Sequence, residues 1–166
     1  MSRALVDYAR ALMIDPKGFE LRVTTPMLIW TYASAAAGKD LPLTTNPSGL
    51  KGKRPVDGQS VVFEVQKNNH KLNPFSFGVT IGRVDSNDVP LEDGSVSRFH
   101  AYLQETDAGW IVCDAESKNG TFIREQRLQP NVKTPLEDGV VIKFGDVPLQ
   151  FLLPASFITR LQLLQK

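Results

Sequence analysis

Three short polar motifs in the second half of this 166-residue chain carry side chains suited to binding phosphate. The motifs are Gly82-Arg83, Ser97-Arg98-Phe99-His100 and Ser117-Lys118-Asn119-Gly120. A guanidinium group presents a planar fork of donors that matches phosphate oxygens, and small hydroxyl and amide side chains complete such a site. Each motif adjoins a stretch that alternates apolar and polar residues like a strand. The combination predicts a recognition surface rather than a catalytic centre.

Each motif has a simpler interpretation when it is taken alone. An arginine that follows a strand, such as Arg83, is usually a solvated surface residue, and Asn119-Gly120 is a common hairpin turn. His100 is most simply a buried ring that holds the preceding loop by hydrogen bonds. With Ser97 it also suggests a nucleophile and its base, but no strained G-x-S-x-G turn surrounds the serine and no third partner is identifiable.

The elements that must position these motifs are short strands. From Ser60 onward, apolar alternation recurs between turn signals such as Asp93-Gly94 and Asp138-Gly139. Many short strands with such turns predict an antiparallel β-sandwich. The predicted strands cover residues 61–65, 77–81, 99–103, 110–113, 121–123, 140–144 and 149–152. Helical spacing of apolar residues over 155–165 predicts a C-terminal helix that docks on the sandwich.

The spacing of the motifs along the strands predicts which loops meet. Two strands separate loops 93–98 and 115–120, so antiparallel alternation returns both loops to one end of the sandwich. Strict alternation places Arg83 at the opposite end. The intervening strand, residues 89–92, is only about 13 Å long at 3.3 Å per residue, so a short twisted strand would let both flanking loops approach. The sequence leaves both arrangements open.

The first third of the chain predicts helices. Leu5, Tyr8 and Leu12 recur at helical spacing after Ser2, and a second helix is expected from Thr25-Pro26 to residue 37, although 29–32 also suit a strand. Residues rich in Gly, Pro and Lys follow. The predicted organisation is a helical N-terminal extension at 1–37, a linker at 38–58, the β-sandwich domain at 59–153 and a C-terminal helix at 154–166.

The composition gives no case for an anionic macromolecule as partner. The net charge is +1, whereas nucleic-acid and membrane binding usually require a clear basic excess. The single cysteine, Cys113, excludes an intramolecular disulfide. Asp7 and Arg10 interrupt the early apolar stretch, so no signal peptide is expected. We therefore expect a cytoplasmic protein, and the absence of a complete metal or nucleotide motif predicts no metal and no cofactor.

In order and spacing, these residues resemble the forkhead-associated (FHA) family. The resemblance covers about residues 60–153 and rests on five blocks, at residues 82–83, 87–91, 97–101, 110–114 and 117–122. It implies a mainly β sandwich of the FHA/SMAD type, with about eleven strands. It also implies that the loops at one end bind phosphothreonine peptides.

The resemblance also implies roles for individual residues. Arg83 and Ser97 would hold the phosphate with help from Arg98, and Asn119 would bind the peptide main chain. Lys118 would join this phosphopeptide-binding set, although the family often has threonine there. The residues expected to support loop shape are Gly82, His100, Ser117 and Gly120. Arg124-Glu125 replaces a common Asn-Gly, which affects the hairpin and the residue preference beyond the phosphothreonine.

The function implied is that of a phosphothreonine-binding signalling adaptor in Ser/Thr kinase pathways. Its partner would be a phosphothreonine-containing protein, such as a Ser/Thr kinase or its substrate. The alternative is a scaffolding protein that uses the same fold independently of phosphate, and an enzyme ranks third. Residues 1–55 leave intramolecular contact or self-association open. A phosphorylated threonine near the linker, at position 24, 25, 44 or 45, would then occupy the site in cis.

Overall fold

A computed structural model describes residues 2–31, 60–69 and 73–165. The predicted linker, including Thr44 and Thr45, lies outside these ranges. The strands in the described ranges are β1 Ser2–Ala4, β2 Met27–Thr31, β3 Ser60–Glu64, β4 Val79–Gly82, β5 Val89–Pro90, β6 Ala101–Thr106, β7 Gly109–Asp114, β8 Thr121–Ile123, β9 Gln126–Arg127, β10 Thr134–Pro135, β11 Val141–Phe144 and β12 Val147–Leu152. The helices there are α1 Leu5–Ile14, α2 Pro16–Arg22 and α3 Pro154–Leu163.

The strands form two sheets that pack face to face. One sheet has seven strands in the order β1-β3-β2-β12-β11-β8-β9, and the other has five in the order β10-β7-β6-β4-β5. All neighbouring strands are antiparallel except β4 and β5, which are parallel. The predicted mainly β, antiparallel sandwich with a C-terminal helix is therefore confirmed.

Alternation of side chains fills the space between the sheets. In β6, Ala101 and Leu103 are fully buried while Tyr102 and Gln104 are half-buried on the outer face. Side chains of a strand point alternately to its two faces, so each strand supplies every second residue to the core. The largest members of this core include Leu28, Ile81, Leu103, Phe144, Leu149 and Phe151.

A second core covers the outer face of the seven-stranded sheet at β2, β3 and the end of β12. Helices α1, α2 and α3 pack there, with Leu5, Tyr8 and Leu12 of α1 buried as the helical spacing predicts. The Tyr8 hydroxyl donates to Glu64 Oε1 of β3 at 2.8 Å. Helix α3 buries Phe157 against the same face. None of the helices in the described ranges has the length and apolar character of a membrane span.

The prediction of a second helix between residues 25 and 37 is wrong for the part that the structure describes, residues 25–31. Met27–Thr31 is β2, which lies between β3 and β12 inside the seven-stranded sheet, and Ser2–Ala4 forms the edge strand β1. The N-terminal region is thus not purely helical but contributes strands to the sandwich. Both faces of β2 are covered, so residues 27–30 are all buried. A strand of this kind is a continuous apolar run that sequence periodicity does not distinguish from a buried helix.

Candidate functional site

The three polar motifs meet at one end of the sandwich. Strand β4 ends and β6 begins at this end because Ile81 pairs with Ala101, and β7 ends there because Asp114 also pairs with Ala101. Arg83 therefore lies beside the other motifs, and strict alternation does not apply. The reason is that β5 runs parallel to β4. The chain after Arg83 therefore runs back towards the other end of the sheet, and β5 then returns it to the end at which β4 finished.

Backbone and hydroxyl contacts join the motifs to one another. The Arg83 N–H donates to the Ser97 carbonyl oxygen at 2.9 Å, and the Lys118 N–H donates to Ser97 Oγ at 3.0 Å. The Arg83 and Lys118 side chains are exposed, and Ser97 is half-buried between the two loops. These bonds fix the backbone from which two cationic side chains extend into solvent.

A further contact holds Asn119. Its Nδ2 donates to the Ser95 carbonyl oxygen at 2.8 Å, while the residue itself is exposed. Ser95 is in turn bound to its neighbours, since its Oγ donates to Asp93 Oδ1 at 2.7 Å and accepts from the Asp146 N–H at 2.9 Å. The amide of Asn119 is consequently oriented by a loop that is itself fixed.

Gly82 permits the close approach of β4 to the loop before β6. A Cβ atom at position 82 would lie 2.2 Å from the Arg98 carbonyl oxygen and 2.6 Å from Asn87 Nδ2. Asn87 is buried, and its Nδ2 donates to the carbonyl oxygens of Arg98 at 2.7 Å and Val84 at 2.9 Å. The buried amide holds the Arg83 loop against the Arg98 loop. This role of Asn87 is not predicted from the sequence beyond its place in one of the five blocks.

His100 connects two of the loops through both ring nitrogens. The ring is fully buried; Nδ1 accepts from the Ser97 N–H at 3.0 Å and Nε2 lies 3.0 Å from the Gly120 carbonyl oxygen. These partners define the neutral tautomer with its proton on Nε2, which donates to Gly120. Burial lowers the pKa of His100 below 6.5, although the Gly120 carbonyl and nearby Asp114 act in the opposite direction. The ring thus contacts both loops, and its support of loop shape stays a prediction.

The depressed pKa of His100 predicts acid sensitivity. The folded state binds this proton less readily than the unfolded chain, so the stabilisation is complete above about pH 6.5 and is lost as pH falls through the folded pKa. We expect the free energy of unfolding to decrease between pH 7 and pH 5, with a slope reduced by up to about 1.4 kcal/mol per pH unit in His100→Gln. Urea denaturation measures the slope, and an NMR titration of the ring reports its pKa directly. A ring pKa above 6.5 would contradict the assignment.

A buried carboxylate shapes the loop that carries Lys118 and Asn119. Asp114 Oδ1 accepts from Ser117 Oγ at 2.5 Å and from Thr121 Oγ1 at 2.6 Å, and Oδ2 accepts from the Ser117 N–H at 3.0 Å. Ser117 Oγ also accepts from the Gly120 N–H at 3.0 Å. The predicted loop-supporting position of Ser117 thus depends on Asp114, whose role is not predicted from the sequence. An aspartate three residues before a serine at a strand end is the signal that indicates such a turn.

All nine predicted site residues lie at this end of the sandwich. Those predicted to bind the ligand directly are exposed or half-buried, and those predicted to support the loops are buried: Arg83, Ser97, Arg98, Lys118 and Asn119 in the first set, and Gly82, His100, Ser117 and Gly120 in the second. The exposed donors thus lie on a base of buried residues that hydrogen bonds join to the loops.

Concave space lies at the other end of the sandwich. A groove of about 310 Å³ is lined by residues that include Thr24, Thr25, Trp110 and Leu153. These residues adjoin the ends of β2, β7 and β12 that point away from the three loops. This groove lies away from the three motifs, and the loop end is the better candidate because it holds the clustered donors. Thr24 and Thr25 lie at the end of the sandwich opposite Arg83, so the in-cis hypothesis is wrong for these two threonines in this fold.

Residues 79–145 match the family model described as the FHA domain. An FHA domain-containing protein of Arabidopsis thaliana is 32% identical over 69 residues, which are 41% of this chain and 18% of that protein. The transcriptional regulatory protein EmbR of Mycobacterium tuberculosis is 33% identical over 76 residues, which are 46% of this chain and 19% of EmbR. The matches thus span only about a fifth of the length of these relatives.

A solved structure supports the same fold. An engineered FHA domain with a Myc-pTBD peptide aligns with a TM-score of 0.52 and 17% identity, covering 84% of this chain and 99% of that one. At this identity the likeness concerns the fold alone. The matched range from β4 to Gly145 contains the three loops of the candidate site.

Proposed function

We propose that this chain belongs to the FHA family, whose model matches residues 79–145, and that it binds phosphothreonine in a partner protein through this domain. Arginine clusters that recognise phosphorylated motifs are the binding mode of this family. The observation that carries the proposal is the convergence of Arg83, Ser97 and Asn119, each held by a hydrogen bond to a neighbouring loop.

The phosphate would be held by Arg83 and Ser97. A phosphothreonine carries close to two negative charges and three strong acceptor oxygens. The exposed guanidinium of Arg83 offers two parallel donors to these oxygens. Ser97 Oγ already accepts from the Lys118 N–H, so its own hydrogen is directed to another acceptor such as a phosphate oxygen. The exposed Arg98 and Lys118 add positive charge beside this pair.

The peptide main chain would be held by Asn119. Because Nδ2 of this residue donates to the Ser95 carbonyl oxygen, the orientation of the amide group is fixed. Its Oδ1 is an acceptor that suits a backbone N–H of an extended peptide. A phosphate contact on one side and a main-chain contact on the other would define the direction of the bound peptide.

The proposal is for binding rather than catalysis. The contact between Ser97 and His100 joins the serine backbone N–H to the ring, whereas a nucleophile requires its hydroxyl at the base. The other ring nitrogen of His100 is directed to the Gly120 carbonyl oxygen. Both nitrogens of the ring are therefore engaged in holding loops. We further propose a cytoplasmic adaptor whose partner is a protein of a Ser/Thr kinase pathway.

An oriented library of phosphothreonine peptides tests this proposal. We expect selective capture of phosphothreonine peptides, no measurable binding of their unphosphorylated forms, and phosphoserine forms about fourfold weaker, because a buried methyl group contributes about 0.8 kcal/mol. Calorimetry on the selected peptides gives the affinities. Equal binding of phosphorylated and unphosphorylated peptides would overturn the proposal in favour of phosphate-independent scaffolding on the same fold.

A further inference from the structure

We propose that Arg127 and Lys143, on either side of Phe122, form a second anion-binding surface that selects a negatively charged residue flanking the phosphothreonine. This inference rests on the proposed function, because it concerns the same bound peptide. It identifies residues outside the three motifs as determinants of ligand choice.

The register of the sheet places these three side chains in a row. Lys143 of β11 pairs with Phe122 of β8, and Phe122 pairs with Arg127 of β9. Residues directly opposite each other on paired strands project from the same face. Thr121 and Ile123 turn towards the core, so Phe122 and its two neighbours lie on the outer face of the seven-stranded sheet. The Lys143 ammonium lies 4.6 Å from the centre of the Phe122 ring, which holds the cation in place.

Arg127 connects this row to the candidate site. The Cβ atom that any other residue would have at position 120 lies 2.6 Å from Arg127 Nε and 3.1 Å from its Cζ. The guanidinium therefore lies directly against Gly120, the residue that follows Asn119. Gly120 has a φ of +87° and leaves the space that the arginine occupies. A ligand whose main chain contacts Asn119 would pass within reach of Arg127.

Arg127 and Lys143 differ from the neighbouring Arg124 in their ion pairing. Arg124, in the same hairpin, forms an ion pair with Glu137. Across residues 2–31, 60–69 and 73–165, by contrast, no carboxylate lies within salt-bridge distance of Arg127 or Lys143. Arg127 is also exposed. Its charge is thus available to a ligand, whereas the charge of Arg124 is neutralised within the protein.

The number of cations also favours a ligand with a second negative group. Arg83, Arg98 and Lys118 carry three positive charges, which already exceed the roughly two negative charges of one phosphate. Arg127 and Lys143 add two further positive charges beyond Asn119. Complementary charge across an interface confers specificity more than raw affinity. The structure therefore favours a peptide that carries a carboxylate or a second phosphate next to its phosphothreonine.

The test compares three versions of one phosphothreonine peptide, with alanine, aspartate or phosphoserine at each flanking position in turn. The proteins are wild type, Arg127→Gln and Arg124→Gln, and the full chain is used throughout. Glutamine retains much of the aliphatic stem that packs on Gly120 while it removes the charge. Arg124→Gln is the matched control, because the charge of Arg124 is already paired with Glu137. The influence of this residue on ligand preference that the sequence predicts is therefore not expected to depend on its charge.

We expect at least one acidic position to raise wild-type affinity about tenfold over alanine, as for one charge-assisted hydrogen bond. Arg127→Gln should abolish this preference and bind the alanine peptide within about twofold of wild type, and Arg124→Gln should retain it. The aspartate and phosphoserine arms decide which anion is preferred. If wild type binds the phosphothreonine peptides without any acidic preference, or Arg127→Gln keeps the preference, this inference fails and the proposed function stands. If no phosphothreonine peptide binds, both fail.

Discussion

Replacing Arg83 with alanine is expected to weaken phosphothreonine-peptide binding by about 2–5 kcal/mol, which is roughly 30-fold to several thousand-fold in Kd. Truncation of one partner of a charge-assisted pair leaves the other charge without its counterion in the complex. The phosphate would then keep only Ser97 and the neighbouring cations. The effect should appear mainly in the dissociation rate, because this contact forms at the centre of the bound state.

The structure provides a reason why this substitution should leave the fold intact. Arg83 contributes to the loop through its backbone N–H, which donates to Ser97, and its side chain is exposed. Exposed positions away from buried contacts usually change stability by less than about 0.5 kcal/mol. Arg10, exposed on α1 and far from the three loops, provides the matched control. Arg10→Ala should bind within about twofold of wild type.

Calorimetry with one selected phosphopeptide measures the change, and Arg83→Lys separates charge from geometry. Lysine keeps the positive charge but does not form the two parallel hydrogen bonds of a guanidinium, so its affinity should lie between those of wild type and alanine. Arg83→Ala with wild-type affinity and a wild-type unfolding transition would remove Arg83 from the phosphate site.

Much of the sandwich is predictable from the sequence because its strands alternate. β6 and β12 bury every second side chain, and period-two alternation is the signal that sequence inspection detects. Strand β2 is not predictable in this way. It is covered by the second sheet on one face and by helices on the other, so its apolar residues form a continuous run. Its assignment depends on tertiary contacts that no local pattern encodes.

The candidate site is predictable in its residues but not in its assembly. The motifs supply recognisable side chains, whereas the proximity of Arg83 to Ser97 depends on the parallel pairing of β4 with the two-residue strand β5. The lengths of the strands and loops do not decide between the two arrangements. Contacts such as Asn87 with the Arg98 carbonyl oxygen link residues that are distant in sequence. The supporting residues therefore become visible only when the loops are packed together.

Asp114→Ala is expected to be the most destabilising substitution near the site, at about 3–5 kcal/mol in the free energy of unfolding. The carboxylate accepts three hydrogen bonds, two from Ser117 and one from Thr121, and all three residues are buried. Alanine would leave these donors without an acceptor and without access to water. Each hydrogen bond to a charged group contributes about 1.5–3 kcal/mol, and the three are not additive because they share one acceptor group.

Two further variants identify the cause of the loss. Asp107→Ala removes an exposed carboxylate from the turn between β6 and β7 at the other end of the sandwich, and should change stability by less than about 0.5 kcal/mol. Asp114→Asn keeps the shape and one acceptor oxygen but turns an amide donor towards the Ser117 donors. Its stability should therefore lie between those of wild type and the alanine variant. Urea denaturation measures all three variants.

Substitution of Asp114 should also weaken peptide binding. Ser117 immediately precedes Lys118 and Asn119, so the loss of its anchor should allow both residues to leave the positions set by Ser97 and Ser95. Asp114→Asn, measured at a temperature where it is fully folded, should bind the selected phosphopeptide about tenfold more weakly than wild type, the equivalent of one misplaced hydrogen bond to a charged group. Wild-type affinity in the folded variant would show that the buried carboxylate stabilises the domain without positioning the peptide-binding loop.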